Sequence, residues 1–110
     1  MDNISLTALT REQLEIAKTA SSGRSAHTVF GGHEHTLRQT LIALAAGQSL
    51  NEHENPGEAT LYVLHGRVLL GAGDMEWRGA AGHFLVVPDA RHILTAEEDS
   101  AVLLTTALGR

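Results

Sequence analysis

Apolar residues in this chain follow two rhythms, and the change between them comes early. Up to about residue 23 the spacing is helical. Leu14, Ala17 and Ile16 make an apolar stripe, Thr10 stands where a cap would, and Gln13 completes a capping box before "SSGR" ends the helix near Gly23. Beyond that point the apolar residues come in short runs cut by Gly, Pro, Asn and Asp. These runs predict strands at 26–30, 36–45, 59–65, 67–71, 75–78, 83–87, 92–96 and 101–106. The run "TLRQTLIALA" also fits a helix, but its flanking glycines and its place among strands favour β. Many short strands at this spacing predict a sandwich or barrel, with residues 1–24 as a helix-bearing extension and 25–110 as the β domain.

Strand 59–65 is apolar on both faces: Leu61 and Val63 on one, Tyr62 and Leu64 on the other. Such a strand needs cover on its outer side, from a second sheet or a partner subunit. Phe30 and Phe84 are expected in the core. Met75 and Trp77 share a face and are expected to pack there or at an interface.

Composition narrows the function classes. With 110 residues the chain holds one core. A net charge of -5 and the lack of any Lys/Arg cluster argue against nucleic acid. There is no cysteine, so disulfides and thiolate metal sites are excluded, and a cytoplasmic location is expected. The start "MDNISLTALTREQLEIAK" is not a signal peptide, and no apolar stretch reaches membrane-spanning length. No nucleophile elbow, phosphate loop or dinucleotide fingerprint occurs.

Two stretches carry the chemistry. In "GQSLNEHENPGEATLYVLHG", Gly47 is followed by five residues and then His53, and the stretch closes on Gly66. In "GHFLVVPDARH", Gly82 leads through a short apolar strand and Pro88 to His92. In order, the two resemble the paired motifs of the small single-domain cupins (the cupin 2 type, a conserved barrel), over roughly residues 36–106. The resemblance implies an all-β fold, a cupin-type jelly-roll β-barrel with a short N-terminal α-helix. It also implies a metal site built from two His and one Glu of the first motif and one His of the second.

The ligand set is degenerate. His53 and His92 match the first and last ligands, but Asn55 replaces the second His and Ala59 replaces the Glu. Glu58 is one residue early, which in a regular strand turns it to the opposite face unless a bulge at "PGE" turns it back. Asn55, Glu58 and His35, from "GGHEH", are the extra candidate ligands for a divalent transition metal such as Fe, Mn, Ni, Cu or Zn.

Arg38 and Gln39 interrupt an apolar strand, and one of them must point inward. An inward Arg38 could clamp a carboxylate through two hydrogen bonds, while an outward one is an ordinary surface residue. The expected pocket is lined by Arg38, Asn55, Ala59, Leu61, Val63 and Leu94.

Three functions fit. The first is a small-molecule-binding cupin with an incomplete metal site. The second is a metal-dependent dioxygenase, isomerase or decarboxylase acting on a small anion. The third is a structural or regulatory homodimer with a vestigial pocket. A homodimer is expected, from apolar strand surface that needs cover.

Overall fold

The structure is a computed structural model that describes residues 3–51 and 57–108. Its elements are α1 (Leu6–Thr19), β1 (Arg24–Phe30), β2 (Leu37–Leu44), β3 (Ser49–Asn51), β4 (Gly57–His65), β5 (Arg67–Ala72), β6 (Met75–Ala80), β7 (Phe84–Val86), β8 (Ile93–Ala96) and β9 (Ser100–Leu108). They form a five-stranded sheet in the order β1-β2-β9-β4-β7 and a four-stranded sheet in the order β3-β8-β5-β6. All pairings are antiparallel. The two sheets face each other as a jelly-roll barrel, with α1 outside it. No helix among the described residues is long and apolar enough to cross a membrane.

The register stacks the inward side chains of the larger sheet in rows across β2, β9 and β4. Ile42, Val102 and Val63 make one row, Thr40, Leu104 and Leu61 the next, and Arg38, Thr106 and Ala59 the third. Polarity rises from row to row toward one end of the barrel. The smaller sheet answers with Leu50, Leu94, Leu70 and Trp77 in a single row. Together these apolar rows form the main core. Trp77 packs against that core, whereas Met75, at the start of the same strand, is largely exposed.

A second core lies on the other side of the larger sheet. There α1 buries Leu9, Leu14 and Ala17 against Leu41, Ala43 and Ala101, with Leu64 beside them. The helix is therefore the cover that the two-sided strand β4 requires, at least over Leu64. Its start differs from the sequence expectation. Ser5, not Thr10, is the N-cap, and its side chain accepts from the Ala8 N–H at 3.1 Å. Thr10 lies inside the helix, and Gln13, instead of closing a capping box, is buried and accepts a hydrogen bond from Ser25.

The two phenylalanines also correct the expectation. Phe84 is 61% exposed, and Phe30 is exposed as well. Leu85 points inward beside Leu61, so Phe84 and Val86 on either side of it point outward. The short strand β3 is absent from the sequence expectation, because only Leu50 among its three residues is apolar.

Gly66 makes the tight β4–β5 turn with φ +84°. That turn meets the turn between β8 and β9 at Ser100, which is buried. Ser100 Oγ accepts from the Arg67 N–H at 3.0 Å and donates to the Glu98 carbonyl at 2.7 Å.

Candidate functional site

The polar row marks the site. Where it reaches the end of the barrel, a cavity of about 320 Å³ opens between His35, Thr36, Arg38, Thr40, Ile42, Leu104 and Thr106. Ile42 and Leu104 are its apolar wall. Arg38, Thr40 and Thr106 reach it because they share the inward face of β2 and β9. Gln39 takes the opposite face and donates to Thr105 Oγ1 at 3.2 Å. Arg38 is thus the inward member of its pair, and among the described residues it has no ion-pair partner. His35 sits at the rim, its ring edge-on to Phe30 with centroids 4.9 Å apart.

The other candidates divide. Ala59 faces the barrel beside Thr106, in the row of Arg38, but it is buried in the main core and does not line the cavity. Leu61, Val63 and Leu94 face inward too, but they are packed in the core beneath the cavity. Glu58 is exposed and shares the outer face of β4 with Tyr62, so the regular strand turns it away from the barrel. His53 and Asn55 lie outside the described residues.

His92 borders a different hollow, of about 560 Å³, with Asn51, Glu76 and Arg91. Asn51, Ile93, Gly71 and Glu76 fall in one register row on the outward face of the smaller sheet. The His92 Nδ1–H donates to the Ala90 carbonyl at 2.9 Å, which leaves Nε2 open. That arrangement orients a ring in the way metal-bound histidines are oriented.

The described residues nonetheless do not make a ligand set for a transition metal. No three His, Asp or Glu side chains come together among them. Ala59 offers no donor atom, and the Arg38 guanidinium puts positive charge at the barrel mouth. The signal for the actual cavity is the pair of threonines, Thr40 and Thr106, that flank Arg38 in register. They carry no sequence motif, so only the strand pairing brings them together.

No protein-family profile and no curated protein matches the chain. Solved structures do. The protein TT1209 from Thermus thermophilus is 25% identical over 98% of both chains, with a TM-score of 0.78. An RmlC-like cupin protein from Desulfovibrio desulfuricans is 27% identical over 76% of this chain and 81% of that one, with a TM-score of 0.66. A cupin superfamily protein from Desulfitobacterium hafniense is 18% identical over 78% of each chain, with a TM-score of 0.71. The repeated cupin neighbours agree with the two opposed antiparallel sheets of this chain, which has the fold of a small cupin domain.

Proposed function

We propose that this cupin domain is a binding module for a small organic anion, taken into the open end of the barrel. One observation carries the reading: Arg38 points into the cavity with no ion-pair partner among the described residues, flanked by the Thr40 and Thr106 hydroxyls. A guanidinium offers two parallel N–H donors that match a carboxylate. The hydroxyls donate to its remaining lone pairs or to a neighbouring hydroxyl of the ligand. Ile42 and Leu104 take the ligand's carbon skeleton. Binding in this form needs no metal and no bond making.

Isothermal titration with a panel of small hydroxy acids, each paired with its neutral amide, tests this. The acids bind, the amides bind at least tenfold more weakly, and Arg38→Ala removes the difference, as loss of a charge-assisted hydrogen-bond pair of about 1.5–3 kcal/mol requires. Equal binding of acid and amide sinks the proposal.

The metal-dependent enzyme keeps one supporting observation, the oriented ring of His92. Stoichiometric metal in untagged protein, lost in His92→Ala, would move the conclusion to that reading.

A further inference from the structure

The cavity at the barrel mouth holds more than the Arg38 guanidinium. Arg38, Thr40 and Ile42 alternate along β2, Leu104 and Thr106 alternate along β9, and all five line it. Just before β2 the chain adds His35 and Thr36 at the rim. Every polar side chain in this wall can donate a hydrogen bond: Arg38, His35 and the hydroxyls of Thr36, Thr40 and Thr106. Among the described residues no Asp, Glu, Asn or Gln lines it. The chain as a whole carries a net charge of -5, so the sign of this wall is opposite to that of the molecule. A donor-rich, acid-free wall matches a ligand rich in acceptor oxygens. It suits a sugar poorly, because a sugar also brings hydroxyl hydrogens that need acceptors.

His35 is positioned by packing within the chain. Its ring lies edge-on to Phe30, with centroids 4.9 Å apart. A ring already packed in this way has less rotational freedom to lose when a ligand arrives. Among the described residues it makes no ion pair. Arg38 and His35 also stand at different heights. Arg38 lies in the row of Thr106, and His35 lies beyond that row, at the rim. A compact anion held by Arg38 leaves the His35 donor to water, whereas a ligand with two anionic ends uses both.

We propose that the ligand of this cavity is a short dicarboxylate. The proposal rests on the reading of the cavity as an anion site and adds His35 as its second point of recognition. One carboxylate pairs with Arg38 and Thr106. The other accepts a hydrogen bond from the His35 ring at the rim. The carbon chain between them lies toward Ile42 and Leu104.

The probes are glutarate, its monoamide and its diamide, each titrated calorimetrically into the full-length protein at neutral pH. Glutarate should bind roughly tenfold more tightly than the monoamide, the value of one hydrogen bond to a charged group and well above the about twofold advantage of two equivalent ends. His35→Phe keeps a ring against Phe30 and removes the N–H. In that variant glutarate should fall to the level of the monoamide, while the monoamide keeps its Arg38-dependent advantage over the diamide.

Equal affinity of glutarate and the monoamide in the unaltered protein would overturn the dicarboxylate assignment and leave the anion site standing. So would a glutarate preference that survives in His35→Phe. Equal affinity of the monoamide and the diamide in the unaltered protein is a different failure: it removes the anion site itself, and this inference with it.

Discussion

Replacing Gly66 by alanine tests how the barrel is held at its β4–β5 corner. Two costs arise there, and they can be separated. The first is conformational: at φ +84° an L-residue loses about 1–2 kcal/mol relative to its preferred region. The second is steric. A Cβ at residue 66 would fall inside van der Waals contact of the Asp99 carbonyl oxygen and Ser100 Oγ, and 2.8 Å from Ser100 Cα. The obstacle is mostly backbone, so the turn before β9 must move. Moving it breaks the bond from the Arg67 N–H to Ser100 Oγ. Leaving such a part-buried donor unsatisfied costs about 1–3 kcal/mol.

Gly47 is the control. It has nearly the same φ, +85°, and nothing among the described residues within 4 Å of its Cβ position, so Gly47→Ala carries the conformational cost alone. The expected losses are about 2–5 kcal/mol, centred near 3.5, for Gly66→Ala and about 1–2 kcal/mol for Gly47→Ala. Urea unfolding followed by fluorescence of the single tryptophan, Trp77, reads both. With a slope of about 1.5 kcal/mol per molar, the midpoints fall by about 2 M and about 1 M. Equal midpoints for the two variants would refute the claim that close approach to Ser100, and not backbone conformation, fixes the corner.

Two further outcomes are expected. Ala59→Glu puts a carboxylate in the row of Arg38 and Thr106, where it competes for the guanidinium, so binding of small acids should fall at least tenfold by titration; unchanged affinity would remove Arg38 from the site. The outer face of the larger sheet exposes Phe30, Leu37, Tyr62, Phe84 and Val86, and Val86 reaches 70%. Light scattering at micromolar concentration should therefore give a dimer that Phe84→Glu converts to monomer without loss of the circular dichroism signal, whereas a monomeric parent protein would show that this face needs no partner.

Most of the β architecture is legible in the sequence, because turn residues and period-two alternation are local signals. Gly47, Gly66 and Gly82 all take the positive φ that their place at turns implies. Side-chain direction in β2 is not legible, and the reason is physical. Ile42 and Leu44 pack toward the smaller sheet while Leu41 and Ala43 pack under α1, so both parities are apolar and neither tells which way Arg38 points. The same ambiguity hides Phe84, in the unbroken apolar run "FLVV". The helix start is obscured because Thr10 and Gln13 imitate a capping box, although Ser5 and the apolar Leu6 and Leu9 offer an earlier signal. Of the candidate site, Arg38 and His35 are legible as residues that could act. Their company with Thr106 is not, since that neighbour lies 68 positions from Arg38 in the chain and is set beside it only by the β2–β9 register.

The rows across β2, β9 and β4 would act as a ruler for the proposed ligand. Successive inward residues on a strand are two positions apart, so each row deepens or shortens the cavity by about 7 Å. Where the polar rows give way to the apolar floor is decided by the Thr40 and Leu104 row alone, above Ile42, Val102 and Val63. Exchanging side chains in that one row would lengthen or cut the accepted molecule by about one row, with the strand pairing and both cores left as they are. Selectivity for the length of the proposed ligand would therefore be stepped, set by whole storeys of side chains, and open to redesign one storey at a time.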